Sequence, residues 1–237
     1  MYTAIIIFLV FLFLGMPVAF SIGLSGLSFF LIRGLPMSIL VQKSISTSQS
    51  FTMLAIPLFI LAGNLMNSCG ITKRLMRFAN ACTGHMYGNI GQVSCLLSTL
   101  MGGVSGSAVA DAAMESRILG PEMTRLGYAR GWSAAINGLS GLIVATIPPS
   151  MGLIIYGTVG EVSIGRLFMA GWVPGILMCV LLMLATTWSA RHFGYKPEHD
   201  KPAPFKEIAS AFFSSIWAML FPILLILLIR FGIMSPT

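Results

Sequence analysis

Residues 88–111 read Gly88-Asn-Ile-Gly-Gln-Val-Ser-Cys-Leu-Leu-Ser-Thr-Leu-Met-Gly-Gly-Val-Ser-Gly-Ser-Ala-Val-Ala-Asp111. Gly102, Gly103 and Gly106, near the end of this stretch, decide how the chain around it folds. They lie in a run from Phe78 to Ala110 without a charged side chain, long enough to cross a hydrocarbon core about 30 Å thick. A continuous span has no use for glycines in its middle, since each costs up to about 1 kcal/mol against alanine. A hairpin that enters and returns does. The pattern predicts two half-helices, Ile90–Leu100 and Ser107–Leu119, of roughly 17–20 Å at 1.5 Å per residue.

Further charge-free runs extend over Met1–Ile32, Ser44–Thr72, Gly131–Gly160, Leu167–Ala190 and Ile208–Ile229. The chain is 56% hydrophobic and 9% charged, whereas a soluble domain carries about 25% charged residues. That excludes an ordinary soluble enzyme, a disordered chain and a secreted disulfide scaffold. The net charge of +7 is scattered between apolar runs, where basic residues set topology, so no nucleic-acid partner is expected. Cys69, Cys82, Cys95 and Cys179 have no metal or redox spacing.

The expected fold is an all-α polytopic membrane protein in the lipid bilayer, forming a single transmembrane domain over 1–237. Scaffold helices occupy 1–70, where Gly15-Met16-Pro17 divides the first run into one tilted helix or two short ones. An interfacial arm covers 71–83, with Ile71, Leu75, Phe78 and Cys82 on one face and Lys73, Arg74 and Arg77 elsewhere. The re-entrant hairpin covers 85–120, a discontinuous helix 127–160 and a transmembrane helix 165–190. A second arm covers 198–212, with Phe205, Ile208 and Phe212 aligned, and a last span 211–231. Asn64 and Asn67 read as caps or helix–helix hydrogen bonds.

With the hairpin, Lys73–Arg77, Arg117–Arg130 and Arg191–Lys206 share one side, holding ten of the fourteen Lys/Arg. A full crossing gives nine against five. Both splits obey the positive-inside tendency, and the hairpin puts Lys73–Arg77 and Arg191–Lys206 in the cytoplasm.

The discontinuous helix owes its break to Thr146-Ile-Pro-Pro-Ser150, because two prolines in succession remove donors and clash with the preceding turn. Interrupted backbone at membrane depth survives only when buried in protein or lining a cavity. A hairpin tip beside an unwound helix is the arrangement of midplane ion and substrate sites in secondary transporters. At the tip, Gly103, Ser105, Gly106 and Ser107 offer carbonyl and hydroxyl oxygens that suit sodium, proposed at Ser105 and Ser107, while the amides of the returning half-helix suit a carboxylate. Thr146, Pro148, Pro149 and Ser150 supply a second group of oxygens. Behind them stand Asp111, either a cap or a charge near the ion, and Asn137 and Gly138 in the first half of the broken helix. Small residues four apart also let helices pack closely, and Pro-Pro also makes a plain kink.

Ser105-Gly-Ser-Ala-Val-Ala-Asp111, Thr146-Ile-Pro-Pro-Ser150, Leu54-Ala-Ile-Pro-Leu-Phe-Ile-Leu-Ala-Gly63 and Leu167-Phe-Met-Ala-Gly171 together resemble the large, DctM-like membrane subunit of TRAP (tripartite ATP-independent periplasmic) transporters, in order and spacing and over essentially the whole chain. The resemblance implies a multi-pass protein of the bacterial inner membrane. It implies a sodium-driven importer of organic acids such as C4-dicarboxylates, 2-oxo acids or sialic acid, with sodium as coupling ion and no other cofactor. The expected partners are a small four-helix membrane subunit and a periplasmic substrate-binding protein. The implied fold is an elevator with two inverted repeats, in which Ser105, Gly106 and Ser107 are sodium-site residues of the first repeat and Thr146–Ser150 lie in its broken helix. It also favours two short crossings over Met1–Ile32. Family members run to roughly twice this length, so the chain reads as an N-terminal half, truncated or split, with 211–231 starting the second repeat.

Two other classes compete. Gly103-Val104-Ser105-Gly106 matches the G-x-S-G of an intramembrane serine protease, which needs a histidine within hydrogen-bond reach; His85, His192 and His199 are the candidates. A non-transporting membrane scaffold fragment predicts the same fold without sodium binding. No G-x-x-x-x-G-K-[ST] loop occurs, which leaves an ATP-driven pump without support.

Overall fold

The structure, a computed structural model, describes residues 2–49, 57–58, 61, 65, 69–197, 199, 201–231 and 233. Asn64, Asn67 and most of the Leu54–Gly63 block lie outside the described residues. Among the described residues the regular structure is entirely helical, with eleven helices bounded. Where the sequence suggests a single domain, the structure divides into two compact units, Met1–Ser50 and Phe51–Thr237.

The first unit contains α1 (Tyr2–Phe13), α2 (Val18–Ile32) and α3 (Met37–Ser48). Gly15 turns the chain at φ +81° and Pro17 sets the entry to α2, so the first charge-free run is two short helices packed on each other. The side chains that α2 buries are Ser21 and Ser25. Phe13, Phe20 and Leu31 point outward, as lipid contact requires.

The second unit contains α4 (Ile71–Thr83), α5 (Asn89–Ser105), α6 (Ala108–Ile118), α7 (Gly120–Arg125), α8 (Arg130–Thr146), α9 (Met151–Val159), α10 (Ile164–His192) and α11 (Phe205–Arg230). α5 is its centre and packs against α4, α8, α10 and α11. Among the described residues α10 is the helix long and apolar enough to cross a membrane by itself, and α8 with α9 passes as a pair bent by 48°. One side of α10 carries exposed Val173, Leu181, Leu184 and Trp188.

The amphipathic reading of α4 holds for its charged side: Lys73, Arg74 and Arg77 are exposed. Its apolar face, however, is covered by protein. Leu75 is buried with Leu97 and Met101 of α5 and Ala218 of α11, and Phe78 meets the Phe212 ring at 5.7 Å. The second arm and the following span, taken from sequence as 198–212 and 211–231, form one continuous helix from Phe205. No glycine or proline separates Lys206 from Phe221, so nothing in the backbone stops the helix where the charges end.

Candidate functional site

α5 and α6 form the hairpin. Ser94 reaches Glu115 at 2.5 Å, and Ser98 reaches Asp111 at 3.0 Å; later residues of one helix pair with earlier ones of the other, which makes the arms antiparallel. The first arm does not stop at Leu100. It continues through Gly102 and Gly103 to Ser105, about 25 Å at 1.5 Å per residue. The turn falls at Gly106, whose φ of +60° is left-handed, a conformation that costs other residues dearly. Ser107 then caps α6, accepting from the Ala110 amide at 3.4 Å.

The glycines serve close approach rather than a break. A Cβ on Gly102 would stand 2.7 Å from Cβ of Ile147, and one on Gly106 would stand 2.8 Å from the Pro149 carbonyl oxygen. The Met151 amide, at the start of α9, donates to the Gly106 carbonyl at 3.2 Å. Hairpin tip and helix break therefore meet backbone to backbone, and Ile147, Pro148, Pro149 and Ser150 are all buried there. α10 closes the opposite side, with Gly171 against the Thr146 carbonyl and Gly175 against Ile147.

The proposed oxygens are not equally free. Thr146 donates its hydroxyl to the Leu142 carbonyl at 2.9 Å and meets Met178 of α10, which turns it away from the tip. Ser150 donates to the Ala145 carbonyl at 2.6 Å, closing the end of α8. Gly103 is buried. Ser105 ends α5, and its side chain lies outside the described residues. Gly138 is exposed, with nothing within 4 Å of a Cβ added there, so it does not line this place.

Behind the tip lies a polar cluster with Glu115, which the sequence reading omitted, at its centre. Asp111 is 1% exposed and Glu115 0%. Asp111 does not cap α6, because Ser107 holds that position. Glu115 Oε2 accepts from Ser94 and Ser140, the latter at 2.9 Å, and Oε1 accepts from Ser98 at 2.7 Å. Asn137 Oδ1 lies 3.2 Å from Ser94. Three helices thus share one seam: Ser94 and Ser98 from α5, Asp111 and Glu115 from α6, Asn137 and Ser140 from α8. A signal for it exists in the sequence, since each pair falls three or four residues apart on one helical face.

The protease arrangement is absent. The His199 amide donates to the Gly84 carbonyl, next to His85, so both stand at the opposite end of α5 from the tip, about 25 Å away. His192 stacks on Trp188, 21 residues beyond Gly171 on the same helix, hence about 30 Å from the break. None of the three histidines is within reach of the tip.

Residues 5–237 match the family model described as the tripartite ATP-independent periplasmic transporter, DctM component. The chain belongs to this DctM family. It is 37% identical over 229 residues to the sialic acid TRAP transporter large permease protein SiaM of Vibrio cholerae, covering 95% of this chain and 53% of that one. It is 37% identical to the 2,3-diketo-L-gulonate TRAP transporter large permease protein YiaN of Escherichia coli, covering 94% and 52%. Identity to the C4-dicarboxylate TRAP transporter large permease protein DctM of Rhodobacter capsulatus is 34%, covering 94% and 54%. The chain spans about half the length of these DctM relatives, which are transporter permeases rather than enzymes.

Proposed function

We propose that this chain supplies one hairpin-and-broken-helix unit of a sodium-coupled secondary importer of small organic acids in a bacterial inner membrane. The complete permease would work with a small membrane subunit and a periplasmic binding protein that delivers substrate. The names of its relatives point to sialic acid, diketo sugar acids or C4-dicarboxylates as the substrate class. The observation that carries the reading is the backbone contact between tip and break, Met151 amide to Gly106 carbonyl. It gathers the C-terminal carbonyls of two helices, α5 and α8, at one buried place, and such carbonyl ends attract a cation.

In this reading the sodium ligands are the carbonyls of 103–106 and 147–149, with the Ser105 and Ser107 hydroxyls beside them. Thr146 and Ser150 shape the break through their own backbone bonds. The N-terminus of α6 offers its first-turn amides to a substrate carboxylate. A second, inverted copy of the unit, supplied by the rest of the permease, would complete the cavity and permit elevator movement.

The test is uptake by the complete permease, small subunit and binding protein in proteoliposomes. Ser105→Ala with Ser107→Ala should move the sodium activation curve to higher concentration. An unchanged curve would return both serines to capping and packing. Binding to the folded chain also predicts that sodium raises its melting temperature relative to choline; no difference would favour a scaffold without transport.

A further inference from the structure

The cluster behind the tip contains more close oxygen contacts than its hydroxyl hydrogens can satisfy. Ser94, Ser98 and Ser140 bring one hydroxyl hydrogen each. Seven contacts compete for them: Ser94 with Glu115 at 2.5 Å, Ser140 with Glu115 at 2.9 Å, Ser98 with Glu115 at 2.7 Å, Ser98 with Asp111 at 3.0 Å, Ser94 with Ser140 at 2.9 Å, Ser94 with Asn137 Oδ1 at 3.2 Å, and Ser140 with the Asn137 carbonyl at 3.1 Å. The conflict is sharpest at Ser98. Its single hydrogen can serve Glu115 Oε1 or Asp111 Oδ2, and the other oxygen then faces a lone pair. A second observation points the same way: Asp111 Oδ1 is buried with no hydrogen-bond partner among the described residues, an untenable setting for a fully ionised carboxylate.

We propose that Asp111 and Glu115 form a proton-binding site, in which one proton is shared between the two carboxyl groups through the Ser98 hydroxyl. With Glu115 protonated at Oε1, that O–H donates to Ser98 Oγ and Ser98 donates to Asp111 Oδ2. Reversing both bonds moves the proton to Asp111 Oδ2 without moving a heavy atom. Ser94 and Ser140 keep their hydrogens for Glu115 Oε2 in either state.

A metal ion fits the same oxygens less well. A cation that holds oxygens at about 2.3–2.6 Å in an octahedron keeps neighbouring ones about 3.3 Å or more apart. The separations here, 2.5–3.0 Å, are those of O–H···O hydrogen bonds. Nor, among the described residues, does a basic side chain neutralise the pair. Arg117 on α6, Arg130 on α8, and Arg166 and Arg191 on α10 are exposed, as are Lys73, Arg74 and Arg77 on α4, Arg125 on α7 and Lys206 on α11. Glu122 on α7 pairs with Arg125, and Glu207 on α11 is exposed. α5 carries no Asp, Glu, Lys, Arg or His, and its Cys95 is a buried free thiol. This inference concerns the hairpin itself and holds whether or not the chain transports.

The test is infrared spectroscopy of the purified full chain at neutral pH. The expected result is the C=O stretching band of a protonated carboxyl, present in the wild type and abolished in Asp111→Asn with Glu115→Gln. Ser98→Ala should shift that band, because the hydroxyl that accepts from one carboxyl and donates to the other is gone. Absence of the band in the wild type at neutral pH overturns the proposal, and so does a band that survives the double substitution. Should the double variant fail to fold, Asp111→Asn alone decides through the band position: a shift supports a shared proton, and an unmoved band overturns it.

Discussion

Replacing Gly106 by alanine tests whether tip and break are wedged together, and two other glycines make the result quantitative. Gly138 lies within α8, exposed and with open space around a Cβ, so Gly138→Ala should stabilise by up to about 1 kcal/mol through helix propensity alone. Gly127 has φ +81° and equally open space; Gly127→Ala isolates the left-handed backbone cost, roughly 1–2 kcal/mol. Gly106 has φ +60° and would also push its Cβ to 2.8 Å from the Pro149 carbonyl oxygen. That obstacle is backbone, held by the Met151 amide bond beside it, and overpacking of this kind adds about 1–3 kcal/mol. Gly106→Ala should therefore lose about 2–5 kcal/mol. At about 2–4 °C per kcal/mol for a chain of this size, its melting temperature in detergent falls by at least about 4 °C. The ranking Gly138→Ala above wild type, Gly127→Ala below it and Gly106→Ala lowest is measurable by tryptophan fluorescence. If Gly106→Ala melts with Gly127→Ala, the tip has room and its contact with the break is not a constraint.

Three further outcomes follow from the geometry. Ser140→Ala removes a donor from buried Glu115 and should cost about 1–3 kcal/mol in thermal unfolding, whereas Ser28→Ala, whose hydroxyl bonds only its own helix, should fall within about 0.5 kcal/mol of wild type. Maleimide should label exposed Cys69 first and leave buried Cys95 untouched until the chain unfolds; early labelling of Cys95 would contradict the packing of α5 against α10. Arg125→Ala breaks the exposed pair with Glu122 and should change stability by less than about 1 kcal/mol, which a melting curve checks.

The hairpin and the break were both legible in the sequence because glycine and proline act through the backbone, where one residue suffices. The same glycines mislead about length: Gly102 and Gly103 read as the end of an arm, yet helix continues through them to Ser105, and the missing side chain of Gly102 serves contact with Ile147. The polar seam was harder to see. Charge-free runs were delimited at Ala110, which relegated Asp111 and Glu115 to a boundary, and no local rule pairs Glu115 with Ser94, Ser98 and Ser140 on two other helices. The continuity of α11 shows the opposite error, a division drawn where polarity changes although the backbone has no reason to stop.

α10 touches both the hairpin and the break. Near one end its glycines seat the break, Gly171 at the Thr146 carbonyl and Gly175 at Ile147; near the other, Thr186 and Ala190 lie against Gly91 and Gly88 at the base of the hairpin. Thr187 and the Met183 carbonyl also accept from Gln92 there. The two grips lie some 20–25 Å apart along the helix, so α10 ties the break to the base of the hairpin. Between Gly175 and Ala190 the sequence of α10 has no glycine or proline to hinge it, so the break and the base of the hairpin share one uninterrupted support.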